Sequence, residues 1–442
     1  MGKSGNKVEK HVRLGKCGKF GKKVSANRAF KKKHGVSYSG RTTGTPDTMK
    51  LADLDIPSYE EIAALRDETA RRLLIDKGLL HHNRHDLSFK CWSCQAPMDK
   101  AGKGYRCSAG RTCKSRPRIE DPLLAFTPFA GYKHRCERPN YVTFVRSAYA
   151  FGLRMAPDQA VHMTRTKDTS LVAQTKRIEH LYQKHRIALA FSEYLHAETL
   201  KFPTEVVEAD SARFGSGYEC GKRIHSGRML VLKGRQSKQW SSQPLPVKVS
   251  KGKRGMGPET VEEVSGPIQK QTPASALLGV DGGKAWKKAA EGRIVLRGVS
   301  HQTKIFTPAS KVSKQKLPAK TKKFLEKQSN GKRKGARMYQ RHFRVAGGDN
   351  CAQGIFGHLA NIMRKTNSRG RHAKPQMRTL QAQSSAALLR RPGFLNVLLA
   401  HAKYKEALLT GRLGVSPNQA YNFHQCWWLH PKEDKEASEW QL

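Results

Sequence analysis

Apolar residues recur along this chain in more than one rhythm, and each rhythm predicts a different kind of structure. From Ser58 to Leu80 the run SYEEIAALRDETARRLLIDKGLL has helical spacing, with Ser58 placed to cap it and Glu61 three positions on. One capped amphipathic helix is expected there, ending in a turn at Gly78. Helical spacing returns from Asn140 to Arg154 and from Pro157 to Leu200. Within it, MAPDQAVHMTRTKDTSLVAQTKRIEHLYQKHR reads as helix, short polar turn, helix, the second helix carrying Lys176, Arg177 and His180 between apolar positions. A DNA-reading helix-turn-helix fits that rhythm, and ordinary helical packing fits it equally well. From Phe202 the period shortens to that of strands. EVVEADSARF, GRMLVLKG and PLPVKVS read as three strands, GPETVEEVSGPIQKQ as a helix, SALLGVD as a strand, KAWKKAAE as a short helix and RIVLRGVSH as a strand. That order predicts an α/β fold, a mixed sheet with helices on its faces.

Other segments lie outside these rhythms. Residues 1–50 are rich in Lys, Gly and Ser and almost free of acid, which predicts a disordered basic arm serving as a nucleic-acid tail, a nuclear-import signal or both. Residues 302–347 are dense in Lys and Arg and poor in apolar residues, and are expected to form a basic insertion or linker. After them NCAQGIFGHLANIMRK predicts an amphipathic helix with Ile355, Leu359, Ile362 and Met363 on one side. The remainder contains one more helical stretch, GFLNVLLAHAKYKEALL, and ends in the aromatic run FHQCWWLHP. The expected organisation is therefore a basic arm (1–50), an amphipathic helix (51–85), a cysteine-bearing module (86–136), a helical DNA-binding region (137–201), a mixed-sheet core (202–375) and a C-terminal helical tail (376–442).

Charge narrows the partners. The 442 residues hold 83 Lys and Arg against 35 Asp and Glu, a formal net charge of +48. Such an excess implies a polyanionic partner, because phosphate contacts release counterions. No apolar run approaches the roughly 18–20 residues needed to cross a bilayer, so no membrane partner is expected. The N-terminus lacks the apolar centre of a secretory signal. A soluble, intracellular protein with reduced thiols is expected, in the nucleus of a eukaryote or the cytoplasm or nucleoid of a bacterium. Cys17, Cys136, Cys220, Cys351 and Cys426 are scattered and read as small buried hydrophobes, whereas Cys91, Cys94, Cys107 and Cys113 are spaced C-x2-C, twelve residues, C-x5-C. Two knuckles with four thiolates suit a structural, tetrahedral Zn²⁺ in a zinc ribbon. Lys90, Lys103, Arg106, Arg111, Lys114, Arg116 and Arg118 flank these cysteines and would make the module a phosphate-contacting one.

In so basic a chain, acids at strand ends need an explanation. Asp210 closes the run EVVEAD and Asp281 the run SALLGVD, each followed by small or turn-forming residues. Carboxylates at the ends of neighbouring strands are the minimum apparatus for holding divalent Mg²⁺ or Mn²⁺ against a phosphodiester. Their positions, at the first and fourth strands, match a ribonuclease-H-like core.

Taken together, the ribbon, the helices, VEADS around Asp210, DGGKAW from Asp281 to Trp286, and GVSHQTKIF with His301 resemble the DDE transposases of the Merlin group and their bacterial insertion-sequence relatives. The resemblance runs from about Phe89 to His372. It implies metal-dependent hydrolysis at transposon ends, strand transfer to target DNA by the freed 3′-hydroxyl, and a homodimer or higher oligomer on DNA. The family carries N-x-x-E-G-x-[FW] at the start of a helix, whereas this chain reads NCAQGIF, with Gln353 in the position of the Glu. Asp349, just before the helix, and His358, further in, are the substitutes for the third ligand; with His358, Lys365 follows seven residues on, as a Lys often follows the family's acid. Glu326, in the basic segment, and the acids beyond Glu406 are set aside. Two other classes remain open: a catalytically decayed, transposase-derived DNA-binding zinc protein, and a basic RNA-binding zinc protein.

Overall fold

The structure is a computed structural model that describes residues 57–82, 87–132, 137–164, 170–215, 217–219, 222–225, 227–249, 259–281, 283–298, 308–330, 336–367, 377–411 and 413–429. The basic arm, His301, Cys17, Cys136 and Cys220 lie outside the described residues. Ser58 and Glu61 do form a capping box, with the Glu61 carboxylate accepting from the Ser58 N–H at 2.7 Å. Yet the expected single helix is two, α1 (Tyr59–Ala64) and α2 (Asp67–Asp76), because Leu65 is extended. The guanidinium of Arg146 donates to the carbonyls of Ile62 (3.3 Å) and Ala63 (2.6 Å), satisfying acceptors that a continued helix would have used. The cysteine module follows as a small antiparallel sheet of β1 (Met98–Ala101), β2 (Gly104–Cys107) and β3 (Arg118–Ile119).

Next come α3 (Tyr141–Gly152), α4 (Pro157–Thr164) and α5 (Leu171–Thr199). From Ile178 onward α5 is buried on nearly all sides, with Leu181, Tyr182, His185, Ile187, Leu189 and Phe191 inside the largest core cluster. This part packs as a central core helix, while Lys176, Arg177 and His180 on its opening turns stay exposed.

The sheet is built by β4 (Val206–Arg213), β7 (Arg228–Gly234), β8 (Trp240–Pro244), β10 (Leu277–Val280) and β11 (Ile294–Val295), in the order β8-β7-β4-β10-β11. β4 runs antiparallel to β7 and parallel to β10, which is parallel to β11, so the sheet is mixed as expected. A separate small antiparallel sheet pairs β5 (Gly217–Glu219), β6 (Lys222–His225) and β9 (Lys248–Val249). The third strand of the main sheet is Trp240–Pro244 rather than PLPVKVS: Pro246 has no N–H for a ladder, and its carbonyl instead accepts from Arg228 at 2.7 Å.

One face of the sheet (Val207, Ala209, Leu230, Leu232, Leu278, Val280) packs with Val264 and Ile268 of α6 (Val261–Gln271) and with Trp286 and Ala289 of α7 (Lys284–Ala289). By strand alternation, the other face carries Val206, Glu208, Asp210, Val231, Leu277 and Gly279.

Residues 302–347 are not the unpatterned linker that their composition suggests. They contain β12 (Ala309–Ser313), α8 (Ala319–Asn330), β13 (Ala336–Met338) and β14 (His342–Ala346), with sheet order β12-β14-β13. Val312, Leu325, Phe343 and Val345 join Val206 and Leu277 in one core cluster, so each short element contributes one or two apolar residues and the lysines face water.

Then follow α9 (Asn350–Lys365), α10 (Met377–Arg390) and α11 (Phe394–Leu409). The C-terminal region is part of the central core and not an appended tail. Leu380, Leu388, Phe394, Leu398, Tyr404 and Trp428 share the cluster of α3 and α5, and Trp428 packs edge-on to Phe191 at 5.2 Å. Among the described residues no helix is long and apolar enough to cross a membrane.

Candidate functional site

Two groups of ligand-type side chains stand out. The first is the cysteine cluster. A tight turn closes over Cys91, whose carbonyl accepts from the N–H of Gln95 (2.9 Å) and whose sulfur accepts from that of Ser93 (3.4 Å). The β1–β2 hairpin and the turn after it bring up Cys107 and Cys113, so that all four sulfurs lie within 4.8 Å of one another. Cys91–Cys113 and Cys94–Cys107 are 3.8 and 3.4 Å apart, far beyond a disulfide bond. These spacings are close to the roughly 3.8 Å edge of a tetrahedron with metal–sulfur bonds of about 2.3 Å. The four cysteines can therefore hold a structural metal such as zinc, as their spacing predicts. The cluster is docked on the helical core: Gln95 Nε2 donates to the Gly411 carbonyl at 2.7 Å and the Lys90 N–H to the Leu409 carbonyl at 3.3 Å.

The second group lies at the C-terminal ends of β4 and β10. Val280 pairs with Ala209, so Asp281, one residue on, stands beside Asp210 on the neighbouring parallel strand. Adjacent strands are about 4.8 Å apart, and in-register residues project to the same face. Trp286, 2% exposed, anchors the chain after Asp281 in the opposite face of the sheet.

Asp349 comes to this place from far along the chain. Arg235, just after β7, donates to the Glu208 carboxylate and to the Ala346 carbonyl, and reaches the carbonyls of Gly347 and Gly348 at 3.0 Å each. Glu208 in turn accepts from the N–H groups of Cys351 (2.6 Å) and Ala352 (3.3 Å), capping the start of α9 from the sheet. Gly279 lets the loop cross β10 closely, since a Cβ there would sit 2.4 Å from the Gly348 carbonyl oxygen, and Gly348 itself has φ +87°. Asp349 follows at the N-cap position of α9 and is 1% exposed.

Electrostatics tie these acids together. Burial, then the charge of Asp349, then those of Asp281 and Glu259, push the Asp210 carboxyl up to about 8, against the opposing effect of the Ser211 N–H that it accepts at 2.7 Å. Glu259 sits next to this group because the Ser211 hydroxyl donates to it. Among the described residues only the cysteines form a cluster of ligand atoms all within 4.8 Å, so the acids are the more open set.

Of the sequence candidates, Asp210, Asp281 and Asp349 therefore come together. Gln353 is exposed on the first turn of α9, its N–H donating to the Asp349 carbonyl at 3.0 Å. His358 is nine residues beyond Asp349, which places it about 13 Å along the axis and half a turn round the helix. Glu326 is in α8 of the insertion. Arg235 and Glu259 have no part in the sequence motifs, and Glu208 falls inside VEADS without a role assigned to it. Strand alternation alone would have marked Glu208, two residues before Asp210 on the same face; Arg235 and Glu259 carry no local signal. Comparison with known proteins gives no further guide: no family model, no curated protein and no solved structure matches this chain.

Proposed function

We propose that the protein is a DDE-type phosphodiester-processing enzyme, a transposase-like protein that cuts and joins DNA, with Asp210, Asp281 and Asp349 as its metal-holding acids. The observation that carries this reading is the parallel pairing of Val280 with Ala209, which sets the next residues, Asp281 and Asp210, side by side, with buried Asp349 near enough for its charge to act on Asp210. The strand order, third-second-first-fourth-fifth with only the second antiparallel to its neighbours, supports a ribonuclease-H-like core. The all-oxygen donor set suits a hard divalent cation such as Mg²⁺ or Mn²⁺. Crowded carboxylates that hold a proton on Asp210 form the kind of site that such a cation relieves.

When bound, a pair of such ions neutralises charge on the phosphate and makes water a stronger nucleophile. Asp210, Asp281 and Asp349 are the residues that would hold such ions, two from the strand ends and one from the start of α9. Glu208 and Arg235 position Asp349 by fixing the Gly347–Gly348 loop and the first turn of α9. The attack on phosphorus is in line and needs no covalent enzyme intermediate; the freed 3′-hydroxyl is the nucleophile of the joining step. The cysteine module acts as a zinc ribbon next to the helical core, and the net charge of +48 suits a DNA partner.

Incubating the purified protein with supercoiled plasmid in Mg²⁺ or Mn²⁺ tests this. Nicking that disappears in Asp210→Asn and Asp281→Asn, with plasmid binding retained, is the expected result. Undiminished nicking in both variants would sink the assignment. Gln353 at the family's Glu position favours the alternative of a decayed, DNA-binding descendant; binding without nicking by the unmodified protein is its signature.

A further inference from the structure

The insertion carries a feature that folding alone does not need. In the register of β12, β14 and β13, Lys311 stands directly opposite Arg344, and Arg344 directly opposite Arg337. Like charges opposed across a ladder destabilise a sheet, and here three cations form one row across all three strands. Phe343 and Val345 alternate with Arg344 and are buried, so the row occupies the outward face while the apolar face packs against Val312 and Leu325. None of the ion pairs among the described residues involves these three side chains. The Arg344 guanidinium lies 5.4 Å from the centre of the Tyr339 ring, which stacks on His342 at 4.9 Å with planes 7° apart. The Tyr339 ring, itself stacked on His342, thus faces the middle cation. The same strand, β14, runs through Ala346 into Gly347, Gly348 and Asp349, so the row is on the element that delivers the third acid.

We propose that the outward face of β12-β14-β13 is a seat for the DNA backbone, on which Lys311, Arg344 and Arg337 take phosphates of the duplex leading to Asp210, Asp281 and Asp349. This rests on the proposed function. The spacing fits: three strands at about 4.8 Å put the outer cations roughly 10 Å apart, and the first and fourth of four successive phosphates of one strand are separated by about 10 Å along the duplex axis. Phosphates would also remove the repulsion that the row builds into the sheet.

The test is the affinity of the full-length protein for a mixed-sequence duplex, followed by fluorescence anisotropy over a series of NaCl concentrations. The triple variant Lys311→Gln, Arg337→Gln, Arg344→Gln is compared with a control triple, Lys320→Gln, Lys322→Gln, Lys323→Gln, in α8 of the same insertion. The expected result is a salt slope lowered by about 2 to 3 in the first variant, as loss of three phosphate contacts requires, and little changed in the second, with thermal stability of the first equal to or above that of the unmodified protein. An unchanged slope in the first variant, or equal changes in both, overturns the proposal. Plasmid nicking by the unmodified protein separates the two levels. If nicking is present and the slope is unmoved, the DNA seat alone is wrong; if nicking is absent, the functional reading fails.

Discussion

The cysteine cluster and the acid cleft are both sets of metal-ligand side chains, yet they are built in opposite ways. The cysteines come from one short stretch, and local turns bring their sulfurs within 4.8 Å of one another. The acids come from β4, the end of β10 and the start of α9, and long-range contacts through Glu208 and Arg235 bring them together. The first set is compact enough for four sulfurs to close around one structural metal. The second is more widely spaced, and its charges repel one another. A further contrast lies within the cleft itself. Glu208 and Asp210 are two residues apart on the same face of β4; Glu208 is satisfied by Arg235 and two helix N–H groups, whereas Asp210 sits among other acids. One carboxylate is a strut; the other is, on the proposed function, a cation ligand.

These contrasts can be broken experimentally. The largest effect is expected at the cysteines. Zinc analysis should find about one ion per chain, and Cys107→Ser or a strong chelator should remove it and lower the melting temperature sharply, since structural zinc contributes about 10–16 kcal/mol of apparent binding energy in small domains. Retention of zinc by that variant would contradict the assignment. Next, Glu208→Gln strips the partner from a buried arginine and should cost about 3–5 kcal/mol in denaturant unfolding. Asp210→Asn, two residues away, should instead raise the melting temperature at neutral pH in the absence of divalent ions, because folding no longer has to protonate a carboxylate that is ionised in the unfolded chain. Equal losses in the two variants would erase the distinction between strut and ligand. Gly279→Ala forces the Gly348 carbonyl away from β10 and should cost about 1–3 kcal/mol, with a loss of metal-dependent activity larger than its loss of stability.

The last effect is read against pH and belongs to the helical core. There Ser147, His185, His401 and Tyr421 form a buried chain of hydrogen bonds at 3.0, 2.9 and 2.8 Å. Burial holds His185 well below the usual histidine range and His401 down to about 3. Both stay neutral in the folded chain while the unfolded chain takes up protons below about pH 6.5. Their contribution is therefore complete above pH 6.5 and is lost as pH falls toward the folded values, with a slope of roughly 1.4 kcal/mol per pH unit for each histidine. Unfolding curves between about pH 7 and 5 should show this slope, and His401→Gln should reduce it; a flat profile would contradict the buried neutral pair.

The sequence carries some of this architecture openly and hides the rest for physical reasons. Cysteine spacing is legible because the ligands are local, and Asp210 and Asp281 because each ends an apolar strand. The choice among Asp349, Gln353 and His358 depends on how α9 is turned. Ile355, Leu359, Ile362 and Met363 do form its buried side. Asp349, just before the helix, is 1% exposed, whereas Gln353, at the motif position, is exposed on the first turn. The elements of the insertion are hidden in the sequence because their apolar residues are spread thinly over four elements, each amphipathic for only one or two positions. α10 left no trace at all, since its buried positions include Thr379, Gln381, Gln383, Ser384 and Ser385, which show no apolar stripe.

The most direct measurement is the rate of Mn²⁺-dependent plasmid nicking by Asp349→Asn set beside that by Gln353→Ala. With Asp349 as the third acid, Asp349→Asn should lose roughly two orders of magnitude or more, while Gln353→Ala stays close to the unmodified protein. A Gln353→Ala variant that is inactive beside an active Asp349→Asn would contradict the account.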